Sequence, residues 1–317
     1  MGTRLRLKLT PPRLLAATTL LLTCWLAYAA PVMGQSVGIL ARFTPEAGNI
    51  TDAVLLENGR IALFYPEAGR IAEYTLEGAL HHHILHEGGE HRVFTPVCGL
   101  ATSGANLLVF DSASLNLFRI ELDGNIGKAV KLAYPAASGA IALSQISGLS
   151  LDAKGQLWAM LTAQGKLACF DREGVFIEEL DLNALLPYKP ACYTRAAWLP
   201  DGTLFLLDYS QGAILYRRPG EQSFRRVRLD APEDVDAAPV LQDFAVDDLG
   251  NLLAVTTASS QPVMLLTPNT EGYTAHRLNV PLPEGSNRLA CRWSNGRFIV
   301  WLRDQPLVCV LELSSAS

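Results

Sequence analysis

Six times along this chain a tight turn leads into a short, almost purely apolar run, and the interval between runs hardly varies. The runs begin at Ile61, Leu107, Leu157, Leu204, Leu252 and Phe298, giving spacings of 46, 50, 47, 48 and 46 residues. A repeat of this length is one supersecondary unit that buries its apolar faces against its neighbours instead of folding alone. Residues 146–182 show the unit most completely. Apolar runs at 149–151, 157–161, 167–170 and 175–180 are separated by the turns DAKG, TAQG and DREG. Such turns join antiparallel strands. Each unit therefore predicts a four-stranded antiparallel meander, and six meanders around one axis make an all-β, six-bladed β-propeller.

The turn before the second strand carries Gly59, Gly155, Gly202, Gly250 and Gly296, where a hairpin needs a residue free to take positive φ. Unit two differs, reading Ser103-Gly104-Ala105-Asn106. Second strands such as LLVF, LWAML, LFLL and FIVW are apolar on both sides, as expected of blades packed on both faces. Trp158, Trp198, Trp293 and Trp301 fall in first or second strands and read as packing between blades. Unit six ends after its third strand, with only SSAS remaining, whereas residues 37–43 have strand character and no partner of their own. The chain's beginning is thus expected to supply the fourth strand of the last blade, removing two open sheet edges. Helix is expected only near Asn183-Ala184-Leu185-Leu186, ahead of Pro187.

Residues 1–34 stand apart from the propeller, which occupies 35–317. Arg4, Arg6, Lys8 and Arg13 precede an apolar run at 14–30 and the small-residue sites Ala27-Tyr28-Ala29 and Val32-Met33-Gly34, the pattern of a signal peptide. An uncleaved anchor and, from Leu21-Leu22-Thr23-Cys24, a lipoprotein box are the alternatives. The expected location is secreted or periplasmic, with membrane contact limited to this segment. Four of the 26 basic residues lie in it, leaving 22 against 31 acidic ones, a balance that disfavours nucleic acid and anionic lipid as partners. Beyond the leader, Cys98, Cys169, Cys192, Cys291 and Cys309 are odd in number and cannot all pair internally. They read as small buried apolar side chains. No cofactor is implied.

Gly148-Leu149, Asp152 with Gly155, Phe170-Asp171-Arg172-Glu173-Gly174, and Pro200-Asp201-Gly202-Thr203-Leu204 with Asp208 carry a family resemblance. They are similar to the repeats of NHL-type and gluconolactonase-type six-bladed propellers, over nearly all of the exported chain. The resemblance implies the fold; such rings host lactonases, lyases and protein-binding or sensor modules. The family's metal-dependent lactonases carry Glu-Gly-Pro on the first inner strand and Asn-Gly opening a later one. Here the corresponding places read Ile50-Thr51-Asp52-Ala53 and Tyr193-Thr194-Arg195-Ala196, and only Asp208 matches the later ligand aspartate. A hard divalent ion needs several oxygen donors together, so the likeness does not extend to a calcium site.

At the start of the inner strands one aligned slot carries Asp52, Arg195 and Asp243, with Cys98, Gly148 and Leu289 in the other units and Arg288 one step earlier in unit six. These residues point to the funnel on the face where the inter-blade loops lie. Two acids and two arginines there either orient a small polar ligand or form an ion-pair ring that closes the channel. Asp208 and Tyr209 join them as ligand-binding candidates. Tyrosine and arginine on loops of a rigid ring also suit a protein-binding surface.

Residues 81–91 hold five of the six histidines. His82 and His86 have the four-residue zincin spacing, but His83 stands where that motif needs glutamate, and the segment belongs to an outer strand and the loop after it. It reads as solvated strand and loop, with His82, His86 and His91 as weak metal candidates. No GxSxG elbow occurs, and no catalytic residue is assigned. The acidic stretch 230–237 fits no EF-hand and reads as a solvated connection. The function expected is that of a binding or scaffold module engaging a protein, peptide or glycan on its loop face. The alternative is a divergent gluconolactonase-like or lyase-type small-molecule enzyme with its site at the funnel.

Overall fold

The computed structural model describes residues 36–84, 97–103, 106–111, 114–121, 125–135, 143, 145–186, 193–227, 229–230, 240–257, 262–270, 272–286 and 288–314. The expected leader, His86, His91 and residues 231–237 of the acidic stretch lie outside the described residues.

Six antiparallel sheets follow one another along the chain, each running from an inner to an outer strand. The first holds β2 (Asp52–Leu55), β3 (Ile61–Tyr65), β4 (Arg70–Tyr74) and β5 (Leu80–His83). The second holds β6 (Val97–Ser103), β7 (Asn106–Asp111), β8 (Asn116–Glu121) and β9 (Val130–Lys131). The third is β10 (Ile146–Leu151), β11 (Leu157–Leu161), β12 (Lys166–Phe170) and β13 (Phe176–Asp181). The fourth is β14 (Tyr193–Trp198), β15 (Leu204–Asp208), β16 (Ala213–Arg217) and β17 (Arg225–Arg226). In the fifth, β19 (Leu241–Val246), β20 (Leu252–Thr256), β21 (Val263–Pro268) and β22 (Tyr273–Arg277) gain a short parallel edge strand, β18 (Leu229–Asp230). The acidic stretch thus begins on a sheet edge, where its first residue pairs with Thr274, not as a free connection.

The sixth blade has the order β1-β25-β24-β23, from β1 (Ser36–Phe43), β23 (Leu289–Ser294), β24 (Arg297–Leu302) and β25 (Val308–Ser314). The chain's first described strand therefore closes the last sheet, as the unmatched strand pattern predicts. Ala41 and Phe43 enter a core shared by β24, β25 and blade one, which includes Trp301, Val310, Leu63 and Tyr74. The Phe43 and Tyr74 rings lie 5.7 Å apart. Closure also explains Gly78 in the β4–β5 hairpin, whose φ is +84° and where a Cβ would overlap Phe43. A second unit, Met1–Gly38 with Leu313–Ser317, contributes only strand ends to the described residues.

The five turn glycines predicted to need positive φ have values from 72° to 87°. Apolar layers between consecutive blades form the core. Trp158 and Trp198 meet at 4.7 Å between blades three and four, so these indoles pack blades together as expected. Leu182–Leu185 makes one turn of α-helix, capped by Asp181, whose side chain accepts from Asn183 N and Ala184 N. No helix among the described residues is long and apolar enough to cross a membrane.

Candidate functional site

Inner strands put their first residues around the axis, and there the structure builds two copies of one arrangement. In the first, Asp52 on blade one accepts the backbone N–H of Leu100 on blade two at 2.7 Å and Nη2 of Arg292 on blade six at 2.9 Å. Arg292 also donates through Nη1 to the Leu100 carbonyl. In the second, Asp243 on blade five accepts the N–H of Cys291 on blade six at 3.3 Å and Nε of Arg195 on blade four at 3.2 Å. Arg195 in turn donates to the Cys291 carbonyl at 2.6 Å. Each aspartate thus grips the next blade and each arginine spans from the blade before, so three blades are stitched at a time. Asp52 Oδ1 accepts Ala53 N, and Asp243 Oδ1, which faces Arg195 Nε, also accepts Phe244 N, both at 2.9 Å.

This belt divides the channel, since Arg195 and Arg292 line the cavities on both sides of it. On the loop face the mouth cavity is about 580 Å³, lined by Thr51, Ser147, Gln242, Tyr209 and Arg303 together with the belt. The opposite cavity, about 400 Å³, is lined by Asp152, Trp198, Asp248, Trp293 and Asn295. Arg303, at 3.6 Å from Asp243 Oδ2 and 44% exposed, adds a third cation to two carboxylates. Burial and the neighbouring Arg195 push the pKa of Arg292 down against the pull of Asp52. Burial also opposes the charge of Arg195, but Asp243 and Asp52 together leave its pKa raised. Both remain guanidinium cations.

Chemically, each carboxylate of the belt is already paired with an arginine. Every carboxylate oxygen of Asp52 and Asp243 has an N–H partner within the belt or its own strand, an arrangement unlike the grouped oxygen ligands a hard cation needs. The thiol embedded there, Cys291, is pushed well above its ordinary pKa by burial and then by Asp243, so it is a protonated core group and not a nucleophile.

Of the residues expected at the mouth, Asp52, Arg195 and Asp243 converge and Tyr209 stands on the rim, 47% exposed. Arg288 does not join them. It is exposed ahead of β23, its carbonyl accepts Arg303 N at 2.9 Å, and the sixth-blade cation is Arg292. The reason is register. Inner strands β6, β10, β14 and β19 carry a bulge near their start, whereas β23 pairs without interruption and sets Ala290 opposite Trp301, the place in the second strand that Asp243 faces at Val255. Arg292 follows Ala290 by two residues and so shares its side of the strand. Asp208 is fully buried and binds Ser210 Oγ at 2.6 Å and Gln211 N at 3.2 Å, which shapes the β15–β16 turn. His82 lies on the outer strand β5 with its Nδ1 3.0 Å from Glu73 Oε2.

The fold is shared with solved structures of several activities. A virginiamycin B lyase from Staphylococcus aureus superposes with a TM-score of 0.61 at 10% identity, over 89% of this chain and 100% of that one. A gluconolactonase from Xanthomonas campestris gives 0.58 at 14% identity, over 91% and 93%. The Swd1 β-propeller domain of Myceliophteria thermophila gives 0.56 at 13%, over 89% and 100%. No family model and no curated protein matches the sequence.

Proposed function

We propose that this chain is an exported β-propeller that binds a protein, peptide or glycan partner on the face carrying the inter-blade loops. One observation carries the reading: the titratable groups at the axis are engaged in holding blades together, while the side chains left exposed around the mouth are those a binding surface uses. Tyr209 and Arg303, 47% and 44% exposed, both line the mouth cavity, and Val240 is 49% exposed just ahead of β19. Tyrosine and arginine supply much of the energy at protein interfaces, and a closed ring holds them without a large ordering cost. The basic, apolar-bearing leader supports export to the periplasm or the medium. Propeller folds of this kind serve both as interaction scaffolds and as enzymes, so the choice rests on the site and not on the likeness.

The test is site-directed crosslinking in the producing cell. A photoreactive phenylalanine analogue at Tyr209 should yield a discrete adduct that the same group at Leu249, 75% exposed on the opposite face, does not yield. Equal labelling from both positions would end the proposal.

A second reading, a small-molecule lyase or hydrolase of the gluconolactonase type, is favoured by the size of the mouth cavity, about 580 Å³, which lies within the range of ligand pockets. Purified protein that retains stoichiometric calcium, melts earlier in chelator and opens sugar lactones would favour it over the binding module.

A further inference from the structure

The histidine-rich segment plays no part at the mouth, yet its described half is organised around a buried acid. Glu73 on β4 is fully buried. In the β4–β5 ladder, Tyr74 pairs with Leu80 and Glu73 with His82, so His81 is the extra residue of a bulge. The bulge brings His81 beside His82 next to the carboxylate, with the two rings 4.8 Å apart and edge to face. One donor atom from each of Glu73, His81 and His82 lies within 4.8 Å of the others.

We infer that Glu73, His81 and His82 form a binding site for one divalent first-row transition-metal ion of the zinc or copper class at the outer edge of blade one. The carboxylate is aimed for this. Its Oε1 is held by Asn58 Nδ2 at 3.0 Å and Arg60 at 3.4 Å, leaving Oε2 toward His82 Nδ1 at 3.0 Å. Ligand atoms bound to zinc at about 2.0–2.2 Å sit roughly 3.3 Å from one another, so small shifts close the cage. Outer partners that fix a ligand's orientation are typical of such sites. Two imidazoles and one carboxylate select a borderline transition metal over calcium or magnesium, and water completes the coordination. His81 is exposed and gives the ion its route in. Bound there, the ion ties the outer strand β5 to β4.

The experiment uses the full chain carrying no polyhistidine tag, stripped with chelator and titrated with Zn²⁺ against a chromogenic competitor. One saturable equivalent is expected, with a zinc-dependent rise in melting temperature. His81→Ala, at an exposed position, and Glu73→Gln should each weaken binding by about 10-fold or more, while His276→Ala on β22 should leave it unchanged. Absence of a saturable equivalent, wild-type affinity in both His81→Ala and Glu73→Gln, or loss of binding only in a His86→Ala/His91→Ala variant would overturn the site.

Discussion

Replacing Asp52 by alanine tests the belt where it is most demanding. The change removes the partner of Arg292, whose side chain is 14% exposed, and strands the Leu100 N–H that Asp52 accepts at 2.7 Å. Breaking a buried pair from one side costs about 3–5 kcal/mol, because the other charge stays buried. Arg292→Met should cost less, about 1–3 kcal/mol, since Asp52 keeps the N–H groups of Ala53 and Leu100. In a chain of this size about 2 °C accompanies each kcal/mol, so Asp52→Ala should melt roughly 6–10 °C early. Urea unfolding followed by circular dichroism at 25 °C, on the wild type, both single variants and the double variant, gives the coupling directly. A coupling of about 1–3 kcal/mol is expected for groups in one network. If Asp52→Ala unfolds within about 1 kcal/mol of wild type, or the coupling vanishes, the belt does not stitch the blades.

Closure of the ring and its buried thiols yield further expectations. Gly78→Ala combines a φ of +84° with overlap onto Phe43, whereas Gly220→Ala has a φ of +81° and nothing within 4 Å. The first should cost about 2–4 kcal/mol and the second about 1–2 in the same urea assay, the difference being the contact with the closing strand. Burial raises the thiol pKa of Cys169 to about 12 and of Cys309 to about 11, and lifts Cys291 well above its ordinary value. A thiol pKa raised on folding contributes stability that is whole below the unfolded value near 8.5 and is lost as pH climbs through the folded one. Melting temperature should therefore fall between about pH 9 and pH 12, and less steeply in Cys309→Ala. Alkylation at pH 8, mapped by mass spectrometry, should spare these three cysteines until denaturant is added.

What the sequence made legible, and what it hid, follows from how far each feature depends on neighbours in the chain. The six-fold repeat shows through because each blade needs its own glycine turn and its own apolar second strand, as at Gly155 and residues 157–161. Closure by the first strand was legible for the same reason, since the last unit lacks an outer strand and residues 37–43 lack a unit. The belt was half visible. Asp52, Arg195 and Asp243 stand in equivalent slots, but on β23 that slot is filled by Ala290 and Arg292 stands two residues beyond it, so a slot-by-slot comparison passes over it. A signal was present: Arg292 lies on the same strand face as Ala290, one pleat along. Glu73 could not be singled out, since its pairing with His82 depends on a bulge between two outer strands that spacing alone does not reveal.

On the function proposed above, belt and mouth residues do different jobs, one set holding the ring and the other meeting a partner. The measurement that separates them is the affinity of the crosslinked partner for Tyr209→Ala and for Asp52→Asn, each read beside its melting temperature. Tyr209→Ala should lose about 10-fold in affinity with an unchanged melt, and Asp52→Asn should melt early yet bind normally while folded. A folded Asp52→Asn that no longer binds, alongside a Tyr209→Ala that binds as wild type, would contradict it.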